Sequence, residues 1–326
     1  VRPVGIVVNP QSGKDLRRLT SAAGQVSDGV KVDTVRQLIL GALEAGVERV
    51  LLPSDRSSIG TRAARGLDAR VRLFEGPSTG SRLDTIDAAK QLAKDEAIVV
   101  GLGGDGTARD LATGWPGLPL IALSTGTNNV FPSVLNPTAA GLAAGHLATG
   151  RVLLEPVATE AKRIVLTEAD EEGGREEDMR EEGALVDVAL IDANAVGARA
   201  VTDPATVRWV LACIAEPTTT GLSSIAAQVA DLPRTAAGGV LVELGAGGTP
   251  VRAALSPGVF STVEVAAVHP IAEGETVPLP GRGILAFDGE RHMALKPGTL
   301  ARIDRQGPLT IDVGATLRTV VTEEHR

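Results

Sequence analysis

Short apolar runs alternate with helix-length amphipathic stretches over the first 125 residues, and that alternation limits the chain to few architectures. The runs are Val4-Gly5-Ile6-Val7-Val8, then residues 49–53, 71–74, 97–102 and 118–123. Each is too short for an ordinary helix and rich in Val, Leu and Ile, as strands buried on both faces are. Between them, residues 81–93 carry Leu83, Ile86, Ala89 and Leu92 at helical spacing, which predicts one buried face. The alternation predicts a Rossmann-like parallel sheet with helices on both sides. Ligands of such sheets sit at the carboxyl ends of the strands. The loops expected to carry function therefore follow Val8, Leu102 and Leu123.

The pattern changes near residue 150. Residues 138–147 read as a small-residue helix, and beyond Gly150 the chain turns to short strand-like runs with many glycines and prolines. Strands are predicted at 162–167, 184–191, 239–244, 261–268, 284–287 and 310–313, with helices at 204–215 and 222–229. Two domains are expected: an α/β nucleotide-binding domain over 1–150 and a mostly β, sandwich-like domain over 151–326. The last residues, 315–326, are expected to pack back on the first domain as a helix. The run 170–182 is almost wholly charged and reads as a solvated hairpin tip, the alternative being an acidic metal site.

Composition excludes several classes. A net charge of −8 leaves no basic face for nucleic acid, and the absence of tyrosine removes the usual stacking platform. No apolar run approaches the ~20 residues of a membrane span, and no basic amphipathic segment suggests membrane docking. The single cysteine, Cys213, cannot form an internal disulfide and reads as a core thiol on a buried helical stripe. With no signal-peptide pattern, a reducing cytoplasm is the expected setting. The four histidines are scattered and predict no metal site.

The strongest chemical signal is Gly103-Gly104-Asp105-Gly106-Thr107, directly after a buried strand. Glycines around one aspartate let the backbone approach a ligand, and successive N–H groups at a helix start form an anion-binding concavity. Asp105 would then sit beside phosphates, able to orient a cation or take a proton from an attacking hydroxyl. A tight turn with Asp105 capping the next helix is the plainer alternative. Residues 9–14, Asn-Pro-Gln-Ser-Gly-Lys, form either a phosphate- or purine-contacting turn or a mere connection; the Walker A spacing is missing. Residues 124–129, Ser-Thr-Gly-Thr-Asn-Asn, are polar at a strand's carboxyl end and suit a nucleotide.

Together these loops resemble the superfamily of NAD kinases and diacylglycerol or sphingoid lipid kinases. Within it, the chain is most similar to the AcoX family of acetoin catabolism, described as ATP-NAD kinase-like. The resemblance rests also on Ala215-Glu216-Pro217 with Gly221-Leu222-Ser223, and on Asp288-Gly289-Glu290-Arg291. It implies an ATP- and Mg²⁺-dependent kinase with NAD as acceptor. Asp105 matches the superfamily's catalytic aspartate, and Gly103, Gly104, Gly106 and Thr107 its phosphate cradle. Asn9, Ser12, Thr127, Asn128 and Asn129 fall on nucleotide-side motifs. Glu290 matches a glutamate placed near the nucleotide or used as base; a hairpin-turn carboxylate is its other reading. Asp187 and Ser223 fall on acceptor-binding segments, with a solvent-facing strand residue as the alternative for Asp187. The resemblance also implies a homodimer. A lipid or small-alcohol kinase, and a non-catalytic nucleotide-binding regulator, are the competing functions. Two departures bear on the acceptor: Val186 replaces an asparagine of true NAD kinases, and their tyrosine is missing from residues 217–224.

Overall fold

The computed structural model describes residues 1–14, 21–67, 69–125, 128–168, 181–193 and 203–324. The apolar runs become parallel strands β1 (Val4–Val8), β2 (Val50–Pro53), β3 (Val71–Phe74), β4 (Ile98–Gly103) and β5 (Pro119–Ser124). Helices α1 (Asp28–Glu44), α2 (Ile59–Ala64), α3 (Arg82–Ala93), α4 (Asp105–Gly114) and α5 (Pro137–Ala148) intervene or follow. Ser27, Ser81 and Asn136 start α1, α3 and α5 by accepting N–H bonds from Val30, Leu83 and Ala139.

Strand alternation explains the layers. Ile6 and Val8 of β1 and Val100 and Leu102 of β4 share one core with Leu38 of α1, Ile59 of α2 and Ala144 of α5. Val7 and Val99 point the other way, toward Ala89 and Leu92 of α3 and Leu111 of α4. Helices α1 and α5 cross closely because both carry glycine at the contact: a Cβ on Gly141 would lie 2.2 Å from the Leu38 carbonyl oxygen. The predicted buried face of α3 is partly wrong. Leu83 is exposed and Ala88, Ala89 and Leu92 are buried, so the second half of α3 packs on the core while Arg82, Asp84 and Thr85 of its first turn border a cavity.

The rest of the chain is largely antiparallel. It comprises β6 (Ala158–Glu160), β7 (Arg163–Thr167), β8 (Glu181–Ala184), β9 (Asp187–Ile191), β10 (Val207–Ala212), β11 (Gly239–Ser256) and β12 (Val259–Ile271). β13 (Thr276–Pro278), β14 (Ile284–Phe287), β15 (Glu290–Ala294), β16 (Leu300–Asp304) and β17 (Leu309–Ile311) follow. A six-stranded sheet, β12-β11-β10-β9-β14-β15, faces a four-stranded one, β13-β16-β7-β8. Leu190, Trp209 and Leu285 of the first meet Ile164, Leu166 and Ile303 of the second in a shared core. The core of the charged run, residues 169–180, lies outside the described residues.

The helix expected at 204–215 is strand β10 instead, entered through a 3₁₀ turn at Pro204–Thr206. Trp209 and Leu211 face the sandwich core while Val207, Val210 and Ala212 face the opposite side. A strand covered on both faces leaves a continuous apolar run that periodicity cannot tell from a buried helix. Cys213 follows this strand, buried, its thiol donating to the Leu185 carbonyl at 3.3 Å. Burial pushes that thiol's pKa up to about 12. Of the helix expected at 222–229, one short segment forms, α6 (Ser223–Ala226).

The chain then crosses back. β17 pairs parallel to β5 and antiparallel to β6, completing the order β3-β2-β1-β4-β5-β17-β6. Helix α7 (Val313–Glu324) follows, and its Val313 and Val320 join the core beneath α5. The direction of strand addition reverses between β1 and β4, the place where open α/β sheets form a crevice.

Candidate functional site

The loops after β1 and β4 meet at that reversal. The Asn9 N–H donates to the Leu102 carbonyl at 2.9 Å, and the Asn9 side-chain amide donates to Thr107 Oγ1 at 2.9 Å. Ser12 and Thr125 share a hydroxyl–hydroxyl bond of 2.9 Å, tying in the loop after β5. Beneath them Lys31 of α1 is fully buried, its ammonium donating to the carbonyls of Asn9, Pro10 and Ser12 at 3.2, 2.8 and 2.7 Å. A cation placed among carbonyls fixes the loop shape, and the N–H groups of Gln11, Ser12 and Lys14 are bonded within the loop itself. Gly103 is required for the turn: a Cβ there would fall 2.2 Å from Thr107 Oγ1.

Asp105 opens α4, with Gly104 as the capping residue. Its carboxylate turns away from the helix and accepts from the Val130 and Phe131 N–H groups at 3.0 and 2.8 Å. Arg234 holds the same segment from the far side, donating to the Val130 and Phe131 carbonyls with its guanidinium over the Phe131 ring. Burial, and then the charge of Asp288, push the Asp105 pKa up to about 7 despite the two N–H donors.

Asp288 comes from the opposite half of the chain. It begins the Asp288–Gly289 hairpin turn between β14 and β15, where both residues take positive φ, 48° and 77°. Its carboxylate accepts from the Leu185 and Val186 N–H groups at 3.0 and 2.9 Å. Arg109 of α4 reaches it at 3.4 Å and also donates to the Phe287 carbonyl at 2.9 Å. Burial raises the pKa of Asp288, and Arg109 opposes the rise.

Two cavities adjoin these carboxylates. The larger, about 620 Å³, runs along the carboxyl edge of the parallel sheet; Asn9, Ser12, Gly104, Gly106, Thr107, Asn129 and Glu290 line it. The smaller, about 80 Å³, opens on the antiparallel side and is lined by Asp187, Thr220, Ser256 and Ser261 among others. Asp105, Asn128 and Asp288 border both. Glu290 stands over the start of α4, its carboxylate 3.8 Å from where a side chain on Gly106 would begin. Asn128 donates to the Leu255 carbonyl at 3.0 Å and Asn129 donates to the Ser124 hydroxyl. The side-chain oxygens of both asparagines are buried without a partner among the described residues, acceptors that a ligand's hydroxyl or amine could satisfy. Asp187 is buried, not solvent-facing, and accepts from the Ser223 N–H at 3.1 Å. Thr127 lies outside the described residues.

Sequence reasoning missed Asp288, Arg109 and Arg234. It also missed the loops after β2 and β3, which bring Arg56 and Arg82 to the large cavity. Asp288 stood in a turn dipeptide, and nothing in a turn dipeptide tells that its carboxylate points inward.

Comparisons with known proteins bear on the family and the fold. Residues 4–152 match the ATP-NAD kinase N-terminal domain family, and residues 165–306 the Acetoin catabolism protein X C-terminal domain family. The chain is 34% identical over 331 residues to Acetoin catabolism protein X of Cupriavidus necator, covering 97% of this chain and 91% of that protein. Among solved structures, yeast NADH kinase complexed with NADH is similar with a TM-score of 0.54 at 13% identity, covering 98% and 86% of the two chains. A putative diacylglycerol kinase from Bacillus anthracis reaches 0.50 at 12% identity, covering 95% and 97%. These two likenesses concern the fold.

Proposed function

The chain belongs to the acetoin catabolism protein X family, and on that premise we propose that it is an ATP-dependent phosphotransferase with an alcohol acceptor. One observation carries the reading: a buried carboxylate, Asp105, with its pKa near 7, stands at the start of a glycine-flanked helix between two cavities. The large cavity has the parts a nucleotide needs. The backbone of Gly104 and Gly106 at the α4 N-terminus suits phosphate, and the partnerless oxygens of Asn128 and Asn129 suit hydroxyl or amine donors.

Mg²⁺ fits as an ion that arrives with the nucleotide. Such an ion would be bound mainly by phosphate oxygens and one or two carboxylates. Glu290, whose carboxylate stands over Gly106, would be the residue to hold it. When bound, the ion neutralises charge on the transferring phosphate. Asp105 would accept the proton of the acceptor hydroxyl, and a pKa near neutrality suits that task.

The family resemblance makes NAD the first acceptor to try. Val186, where true NAD kinases carry an asparagine, is buried and contributes its backbone N–H to Asp288, so it brings no side-chain amide to the site. The test is ADP release from Mg-ATP with NAD, a diacylglycerol and small alcohols. Turnover with any of them supports the reading. Absence of a thermal shift with ATP overturns it.

A further inference from the structure

The two cavities that meet at Asp105 differ in chemistry as well as size. The large one is bordered by Arg56, Arg82 and Arg109 and by the α4 N-terminus. The small one has no lysine, arginine or histidine among its described lining residues. It presents the carboxylates of Asp105, Asp187 and Asp288 and the hydroxyls of Thr220, Ser256 and Ser261. A phosphate there would face three carboxylates, and the guanidinium in contact with Asp288, that of Arg109, borders the large cavity instead. A neutral ligand with several hydroxyls would instead donate to the carboxylates and exchange bonds with the serines and threonine.

Size points the same way. About 80 Å³ holds roughly five to eight water-sized positions, the room for a molecule of about six heavy atoms. The tip of the β11–β12 hairpin closes one side. Leu255 and Ser256 are held there by Asn128, the residue that also borders the large cavity. The partnerless Asn128 oxygen is therefore fixed at the junction by its own amide bond.

From these features we infer that the small cavity is the acceptor site and that the acceptor is a small neutral diol or triol, not a dinucleotide. The inference rests on the phosphotransferase reading above and names its substrate class. In the step, the acceptor O–H bond breaks and its proton passes to the Asp105 carboxylate. The freed oxygen bonds to the γ-phosphorus while the bond from that phosphorus to the bridging oxygen breaks, and ADP leaves carrying that electron pair. The phosphorylated product then meets the carboxylates of the cavity, and the same repulsion that excludes anions favours its release.

The experiment uses the full chain with Mg-ATP at concentrations that saturate its thermal shift, and 2,3-butanediol, glycerol and NAD as acceptors. Ser261→Leu, which adds bulk to the small cavity alone, is run beside it. The expected result is turnover of a diol or triol in preference to NAD. In Ser261→Leu the KM for that alcohol should rise about tenfold or more, with the ATP-induced shift unchanged. An ATP shift accompanied by NAD turnover alone, or by no turnover of either alcohol, overturns the inference and leaves nucleotide binding standing. Alcohol turnover unaffected by Ser261→Leu overturns the location of the site. Loss of the ATP shift in the parent protein removes the nucleotide reading itself, and the inference with it.

Discussion

The two halves of the molecule build one site by different means. The parallel half shapes its surface largely through backbone, with Gly103 and Gly104, the α4 N-terminus and a loop moulded around Lys31, and adds the charges of Arg56, Arg82 and Arg109 along the cavity wall. The antiparallel half works through side chains carried on a hairpin, Asp288 and Glu290, and through the N–H groups of Leu185 and Val186 that hold Asp288 in place. Asp105 belongs to the first half, yet its proton affinity is set partly by the second. Phosphate recognition can thus be built on one sheet edge, whereas tuning of the carboxylate needs both halves assembled.

The comparison is broken most severely at Asp105. Replacing it with Asn should lower turnover by about 10³-fold, the usual contribution of a positioned general base, while ATP still shifts the melting temperature. The stability effect has the opposite sign. Because the folded-state pKa of about 7 lies above the unfolded value of 3.8, the parent loses stability as pH rises through that window. Asp105→Asn should therefore melt above the parent at pH 8, and the gap should close toward pH 4. A variant less stable than the parent at both pH values would contradict the burial argument.

Next come two changes confined to the parallel half. Lys31→Met leaves three loop carbonyls without their cation, and calorimetry should show a loss of about 3 kcal/mol. The KM for the nucleotide should rise more than kcat falls, since the loop and not the carboxylate is disturbed. Gly103→Ala places a methyl against Thr107 and should destabilise by about 2 kcal/mol. If Gly103→Ala were neutral in stability, the tight approach of Thr107 to the turn would be wrong.

How much of this was legible in the sequence follows the same division. The parallel half could be read because its strands are apolar on both faces and its loops carry glycine and asparagine where the backbone must approach a ligand. The turn at Asp288–Gly289 was equally readable as a turn. What could not be read was direction. Asp288 reaches inward because Leu185 and Val186, about a hundred residues earlier, present free N–H groups to it. Arg109 reads as an ordinary polar residue of a helix until β14 is laid against it. β10 was misread as a helix for a related reason, since covering both faces of a strand erases its period. Local chemistry was visible; long-range pairing was not.

The most direct test of the account is the pH dependence of kcat/KM for the phosphoryl transfer, measured for the parent and for Asp288→Asn. Activity should rise with pH along a limb near pH 7 in the parent. The limb should move toward lower pH, by about one unit, once the neighbouring charge is removed. Asparagine keeps an oxygen for the two N–H donors and tolerates the positive φ of that position. A parent limb below pH 5, or one that stays in place in Asp288→Asn, would contradict the claim that the two halves share control of Asp105.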